Sequence, residues 1–187
     1  ADSGPVDFKG AGSQGDVKFA AWDGTAARTG ANYDSVSQFL VEAAPIDGLV
    51  VKLDYMDFTH DAAANDAEEG HASAKYAYGP VTVGYGRGWI APVNDKAAGS
   101  VDHFANESIG VGFKVNDAFS LSYTVEQSQL ELNTSGAAEV ELELTSIQAA
   151  YNIGGATVAI SQDDISNANY TLAKDQKETL VTMVMAF

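Results

Sequence analysis

Three histidines are the residues of this chain best suited to acid–base or metal chemistry. His60 is followed directly by Asp61, and His71 and His103 also fall in or beside stretches that we predict to be long loops. An Asp–His pair is found in hydrolases, and imidazole is a common metal ligand. The spacing matches no metal-ligand template, and the sequence has no Gly-x-Ser-x-Gly nucleophile motif. We therefore interpret the histidines as solvated loop residues and predict that the protein is not an enzyme.

A second candidate site is an acidic stretch. Asp61, Asp66, Glu68 and Glu69 lie within residues 61–74, which are rich in alanine but carry no apolar residues at helical spacing, so we predict a long loop there. Carboxylate oxygens are the ligands that Ca²⁺ prefers. A solvated loop that keeps one rim of the molecule soluble explains the same residues without an ion. The sequence predicts no other cofactor and no metal site.

Glu139, Glu141 and Glu143 form an acidic row. Alternate residues of an extended strand share one face, so these like charges repel unless water, cations, or Lys and Arg side chains face them. Two interpretations stay open. Either the row lines a lumen or vestibule, where it would favour cations, or it belongs to a strand extension exposed to water.

The composition of the chain excludes several classes of protein. The chain has 187 residues, 45% of them apolar, with 26 acidic against 10 basic side chains and a net charge of −16. That length fits a single domain over residues 1–187, and the apolar share is too high for disorder. The acidic balance argues against nucleic acid as a partner, because phosphate binding needs clustered Lys and Arg. No cysteine is present, which excludes disulfides, thiolate metal sites and thiol catalysis.

The elements that must position these side chains are strands, because the apolar residues recur with period two. Ile109, Val111, Phe113 and Val115, for example, alternate with small or polar residues. Residues 6–9 could be the tail of one further strand. About ten strands are predicted, over residues 16–22, 33–43, 49–59, 71–78, 81–90, 103–115, 119–132, 139–153, 156–166 and 177–187.

The connections between these strands alternate between short and long. The short ones have tight-turn chemistry, and the long ones are polar and mostly acidic. An up-and-down meander in a membrane produces this asymmetry, because its short turns lie on one side and its variable loops on the other. The short connections are 45–48, 79–80, 116–118 and 154–155, and the long ones are 23–30, 60–70, 91–102, 133–138 and 167–175.

These patterns predict an all-β fold, a transmembrane antiparallel up-and-down β-barrel. A soluble β-sandwich is the alternative, with less reason to sort its loops in this way. In a barrel the apolar face of each strand meets lipid and the other face lines a wet lumen. The pore-lining candidates are the charged residues that we assign to this second face: Lys18, Glu42, Lys52, Asp54, Lys75, Lys114, Glu126, Glu141, Glu143 and Asp163.

Aromatic residues cluster near the predicted strand ends. Amphipathic rings at the ends of an apolar band form the girdle of a membrane barrel, although Tyr and Phe also favour strands in general. Phe187 ends the last strand directly. The girdle candidates are Tyr33, Tyr55, Tyr76, Tyr78, Tyr85, Trp89, Phe113, Phe119, Tyr123 and Tyr151.

Two features do not fit a simple alternation. Arg87 shares its face with Tyr85 and Trp89, and the alternation breaks near residues 126–129 and 145–147. A β-bulge would explain the breaks, and so would the end of the membrane zone. A bulge would likewise explain Arg87, as would a side chain that extends to the membrane interface.

The closing hairpin carries a resemblance to a known family. Residues 151–160, a polar loop and residues 178–187 resemble the end of a Gram-negative general porin, and residues 112–117 are similar to a porin strand that runs into its periplasmic turn. The terminal Phe187, with apolar residues at alternate positions before it, resembles the signal that the barrel-assembly machinery reads.

The resemblance implies sixteen antiparallel strands, a homotrimer, and passive diffusion of ions and small hydrophilic solutes. It also implies the outer membrane of a Gram-negative bacterium, with lipid and lipopolysaccharide as neighbours. The chain shows about ten strands and no clear match to the long inward-folded constriction loop. We therefore predict a C-terminal portion of a porin. The alternative is a complete small barrel with a structural or adhesive role and little conductance.

Overall fold

The part of the chain that the structure describes is a single sheet of eleven strands. The computed structural model describes residues 6–14, 17–25, 33–60, 66–92, 97–136 and 139–185, with the side chains of residues 6–34 and of His60 outside that description. The strands are β1 Val6–Gln14, β2 Val17–Thr25, β3 Tyr33–Ile46, β4 Leu49–His60, β5 Ala67–Tyr78, β6 Val81–Ala91, β7 Val101–Lys114, β8 Phe119–Leu132, β9 Val140–Ile153, β10 Ala156–Ser166 and β11 Gln176–Met185.

Each strand pairs antiparallel with the next along the chain, so the topology is up-and-down throughout. Within the described residues no pairing joins β1 to β11, and the sheet is open at these two strands. The predicted all-β antiparallel meander is confirmed. The fragment at residues 6–9 is the beginning of a full strand, β1, which makes eleven strands rather than ten.

Tight turns connect the strands along one edge of the sheet. Gly48 closes the β3–β4 turn with a φ of 79°, and Gly79 begins the β5–β6 turn with a φ of 57°. Only glycine adopts this left-handed region without a steric cost, which is why the turn residues stood out in the sequence. The strand ends that flank the longer connections lie at the opposite edge, as predicted.

Strand β5 corrects one prediction. It begins at Ala67, whereas the sequence predicted a loop over residues 61–74 and a strand from His71. Residues 67–70 have little strand propensity of their own. They are extended because all four pair with Phe58–Tyr55 of β4, and residues 68–70 also pair with Ala91–Trp89 of β6.

The strand register settles the two irregularities of the sequence. Pairing is continuous past Arg87 on both sides of β6, and past residues 126–129 and 145–147 in β8 and β9. A β-bulge therefore explains none of these positions. Among the described strands that follow β3, the register shifts only between Val101 and His103.

The sheet is one layer thick and has almost no interior. Ala168, at 4% exposure, and Ser146, at 5%, are the buried side chains among those described. Large apolar side chains are exposed instead, such as Ile109 at 59% and Met183 at 59%. No helix in the described part of the chain is long and apolar enough to cross a membrane.

Candidate pore wall

The sheet has a polar face and an apolar face, which alternate along every strand. We call the face that carries Lys52 the polar face and the face that carries Ile109 the apolar face. One row of register partners on the polar face is Lys52, Ser73, Gly86, Ser108 and Glu126. The neighbouring row on the apolar face is Val51, Ala74, Tyr85, Ile109 and Val125.

The polar face is the concave one. Along β6 the apolar-face residues Val81, Val83 and Tyr85 are exposed, whereas Thr82 and Gly84 between them are half-buried. The same alternation runs along the second half of β7. A flat single layer would expose both faces alike. The asymmetry therefore indicates a sheet that curves around its polar face, as in the wall of a barrel.

Most of the pore-lining candidates lie on the polar face. By strand alternation and register these are Glu42, Lys52, Asp54, Lys75, Lys114, Glu126 and Asp163. The backbone of Lys18 pairs with that of Glu42, and its side chain lies outside the described part of the chain. Glu141 and Glu143, which the sequence placed with this group, lie on the apolar face at the long-loop edge.

Glycines open a hollow in the middle of the polar face. Gly84, Gly86 and Gly110 on β6 and β7 have no side chains, and this leaves a trough of about 550 Å³. Charged side chains surround it, and they are Glu42, Lys52, Lys75 and Glu126. The alternating glycines that the sequence showed in β6 thus widen the space in front of the wall charges.

The charges of the polar face are partly paired. Lys52 Nζ lies 2.8 Å from Glu42 Oε2, and His71 Nδ1 lies 3.4 Å from Asp54 Oδ1. Within the described residues Lys75 and Glu126 make no ion pair. The two unpaired charges have opposite sign and lie on opposite sides of the trough, so they leave a local field for a solute to meet.

A hydrogen-bond network fixes one carboxylate on this face. The Ser146 hydroxyl donates to Asp163 Oδ1, and Ser161 Oγ donates to Asp163 Oδ2 at 3.0 Å. Gln148 Nε2 donates to Ser146 Oγ at 3.1 Å. Both oxygens of Asp163 therefore accept hydrogen bonds, which hold the carboxylate in position on this face.

The acidic row is stabilised by amides rather than by cationic side chains. Gln127 Nε2 donates to Glu141 at 3.2 Å and to Glu143 at 3.0 Å, and the Gln129 side chain donates to Glu139. From the sequence we expected only water, cations, or Lys and Arg side chains as partners of this row, and these two glutamines were not predicted. The glutamines became relevant only once the register aligned β8 with β9.

The histidines are placed differently from the prediction. His71 lies inside β5 and His103 inside β7, while the His60 side chain is outside the described residues. His103 Nδ1 is 2.9 Å from Asp102 Oδ2, and its Nε2 is 3.7 Å from Glu131 Oε1. In the described part of the chain, Asp102, His103 and Glu131 are the group of side chains close enough together to hold a cation. Both ring nitrogens of His103 already face the carboxylates of Asp102 and Glu131.

The acidic stretch proposed for Ca²⁺ does not form a single loop. Glu68 and Glu69 are consecutive residues of β5 and so lie on opposite faces. Glu68 accepts a hydrogen bond from the Tyr55 hydroxyl at 3.1 Å. Asp61 lies outside the described residues, and Asp66 immediately precedes the strand.

The girdle candidates from Tyr55 onward all lie on the apolar face. Five of them are close to the short-turn edge, and they are Tyr76, Tyr78, Phe113, Phe119 and Tyr151. Tyr55 and Trp89 lie toward the long-loop edge with ring centroids 6.3 Å apart, and Tyr85 and Tyr123 lie between the two groups. The Tyr33 side chain and Phe187 are outside the described part of the chain.

Arg87 lies on the apolar face, in a row whose register partners on β7 to β9 are polar. Its register partner on β7 is Glu107, followed by Gln127 on β8 and Glu143 on β9. This polar row ends the apolar band on β7 to β9, whereas on β3 to β6 the band extends one row further, to Phe39, Tyr55 and Trp89. Arg87 therefore lies next to the polar end of the apolar face on β7 to β9. From this position an arginine side chain is expected to extend to water or headgroups.

Comparisons with known proteins identify a fold but not a family. No family model matches the chain. No curated protein matches it either. A solved structure of a porin refined at 1.8 Å resolution has the same fold, with a TM-score of 0.62 over 97% of this chain and 16% sequence identity. The chain spans 63% of the length of that porin.

Proposed function

We propose that this chain forms part of the wall of an outer-membrane channel through which ions and small hydrophilic solutes diffuse passively. The observation that carries the proposal is the sorting of side chains between the two faces. Exposed apolar residues form a band on the convex face, and charged or small residues occupy the concave face. The porin fold of the solved structure supports the same function.

Hydrocarbon is the medium that best accounts for the apolar band. Val181 at 65%, Ile147 at 59% and Val111 at 43% exposure belong to a surface that no second layer of the described chain covers. A water-soluble protein rarely leaves so large a contiguous apolar surface open. Strands of 9 to 14 residues suit a bilayer, which a tilted strand crosses in about 9–11 residues.

The polar face predicts a mild preference for cations. Among the side chains that the structure describes, acidic ones outnumber basic ones there, since Glu42, Asp54, Glu69, Glu126, Asp163 and Glu178 share this face with Lys52, Lys75 and Lys114. Charges on a pore wall bias which ions enter, and the net charge of −16 acts in the same direction. Solutes would otherwise be selected by size.

The location and the partners belong to this proposal. We propose the outer membrane of a Gram-negative bacterium as the location, with lipopolysaccharide against the outer end of the apolar band. A homotrimer and recognition of Phe187 by the barrel-assembly machinery remain predictions. Cross-linking in native membranes, with the protein visible as a ladder of up to three subunits, would test the trimer.

Planar-bilayer recording tests the function directly. The whole protein that contains this chain, purified in detergent, should insert and give stepwise ohmic currents, with reversal potentials in a KCl gradient that favour K⁺. Anion-favouring potentials would contradict the assignment of the wall charges. Insertion without conductance would contradict a channel and would support the structural or adhesive small barrel instead.

A further inference from the structure

The connection between β10 and β11 is a folded unit. It comprises residues 167–175 and contains one turn of 3₁₀ helix, Ala168–Tyr170. The Ala168 amide donates to the Lys174 carbonyl at 2.6 Å, and the Ala173 amide donates to Asn167 Oδ1 at 2.9 Å. We call this unit the β10–β11 loop. Its internal hydrogen bonds close it into a compact turn instead of a random connection.

The backbone of this loop is strained. Asn167, Asn169, Tyr170 and Ala173 all have φ between 53° and 60°. Left-handed backbone is unfavourable for non-glycine residues, above all for a bulky residue such as tyrosine, and costs about 1 kcal/mol or more at each position. Contacts outside the loop must offset this cost. Those contacts show what the loop does.

Tyr170 makes the most distant of these contacts. Its ring lies 5.6 Å from the ring of Phe104 on β7, and its hydroxyl is 2.7 Å from Ser128 Oγ on β8. Ser128 Oγ in turn donates to Asn106 Oδ1 on β7 at 2.6 Å. The loop connects β10 to β11, so Tyr170 reaches across β9 to touch strands that lie two and three places away.

The loop crosses β9 on the polar face. Phe104, Asn106 and Ser128 belong to that face by register, which fixes the side on which Tyr170 lies. Asn167 Nδ2 donates to the Glu141 carbonyl of β9 at 2.9 Å, and Ala168 is the most buried side chain described. The loop is therefore fixed to β9 at its beginning and to β7 and β8 at its tip.

An apolar patch explains why the loop folds inward. At the long-loop edge the polar face carries half-buried apolar residues in place of charges, and these are Phe104, Leu130, Leu142, Leu144 and Ile165. Such residues would be unfavourable on an open wet wall. They account for the break in alternation in β8 and β9, since the polar face itself becomes apolar where the loop approaches it.

We propose that the β10–β11 loop is a fixed constriction at the mouth of the channel, with Tyr170 as the residue that determines its position. This inference rests on the proposed function. Because the concave face is the lumen side, a loop held on it occupies cross-section that a solute would otherwise use. The constriction is static, since a hydrogen bond to β8 and a ring contact with β7 hold its tip, and a hydrogen bond to β9 holds its beginning.

Conductance of a Tyr170→Ala variant tests the proposal. Without the ring contact and the hydroxyl bond the strained loop should detach from β7 and β8, so single-channel conductance should rise about 1.5-fold and larger sugars should pass. Tyr170→Phe keeps the ring contact and should stay close to the unmodified protein. Thr171→Ala, an exposed neighbour in the same loop, is the matched control and should change nothing.

A chemical test does not depend on removing the tyrosine contact. The chain has no cysteine, so a single introduced thiol is the only target for a thiol reagent. In Thr171→Cys, which keeps Tyr170 in place, a bulky cationic methanethiosulfonate should reduce the current by about a third or more, because it adds volume inside the mouth. In Ser135→Cys, on the exposed connection between β8 and β9, the same modification should leave the current unchanged.

The outcomes separate this inference from the proposed function. If the unmodified protein gives no current at all, the channel itself is wrong. If the protein conducts but Tyr170→Ala and modified Thr171→Cys both conduct like it, the constriction is wrong and the channel stands. Heat-shifted migration in SDS gels confirms that each variant is folded, and the modified Thr171→Cys variant tests the constriction if Tyr170→Ala does not assemble.

Discussion

The ring of Trp89 on β6 occupies the space into which a side chain on Gly70 of β5 would project. The two residues are direct register partners, and Gly70 also pairs with Tyr55 on its other side. The missing side chain lets the rings of Tyr55 and Trp89 approach to 6.3 Å across the strand between them. An aromatic residue that covers a cross-strand glycine is a known stabilising device of β-sheets.

Substitution of this glycine should therefore destabilise the sheet. In Gly70→Ala the new methyl group displaces the Trp89 ring, and we expect the free energy of unfolding to fall by about 1–3 kcal/mol. Urea unfolding in detergent micelles, followed by tryptophan fluorescence, measures the change. In the control Gly84→Ala the nearest atom to the new carbon is Ala74 O at 4.0 Å, and stability should change by less than about 0.5 kcal/mol. Equal effects would contradict the Trp89 contact.

We expect a lowered pKa for the carboxyl group of Asp117, in the turn between β7 and β8. Lys114 Nζ donates to Asp117 Oδ1 at 2.8 Å, and this hydrogen bond together with charge attraction lowers the pKa of Asp117. A lowered carboxyl pKa means that the contact stabilises the turn above about pH 3.9, the unfolded value, and is lost as pH falls through the folded pKa. Lys114→Gln should raise the Asp117 pKa toward its ordinary value in an NMR titration. An unchanged pKa would show that the pair does not form in solution.

The strands and their turns could be predicted from the sequence because both depend on local rules. Alternation over ten or more residues identifies a strand wherever one face differs chemically from the other. Gly48 and Gly79 marked their turns because no other residue accepts those backbone angles without cost. Strand β5 from Ala67 to Gly70 has neither signal. Its extended form is imposed by pairing with β4 and β6, which no local pattern reveals.

The candidate site was less predictable because it depends on register. Glu141 and Glu143 are two residues apart and therefore share one face of β9, as the sequence indicated. Which face this is depends on the pairing of β9 with β8, which the sequence does not reveal. Tyr170 was missed for a related reason. Its partners Phe104 and Ser128 are far away in the sequence and meet it only through the curvature of the sheet. The apolar residues Leu142 and Leu144 on the polar face were the one available signal.

Two glutamates at similar height on opposite faces test which face lines the pore. Glu126 lies on the polar face beside the trough, and Glu143 on the apolar face is the partner of the adjacent Gln127. Glu126→Gln should lower the ratio of cation to anion permeability by about twofold, because it removes a wall charge that makes no ion pair within the described chain. Glu143→Gln makes the same charge change outside the lumen and should leave the ratio unchanged. Reversal potentials in a salt gradient measure both, and the opposite order of effects would reverse the assignment of the faces.

A charged substitution in the apolar band distinguishes lipid from water as its surroundings. Ile109 is 59% exposed, so in water Ile109→Arg would change the free energy of unfolding by less than about 0.5 kcal/mol. In a bilayer the same arginine meets hydrocarbon and should cost about 2–4 kcal/mol. Ser37→Arg is the control, because Ser37 is exposed on the apolar face beyond the end of the band and should tolerate the charge. Unfolding in phospholipid vesicles measures both variants. A tolerated arginine at position 109, together with a protein that stays dispersed without detergent, would mean that something other than lipid covers this surface.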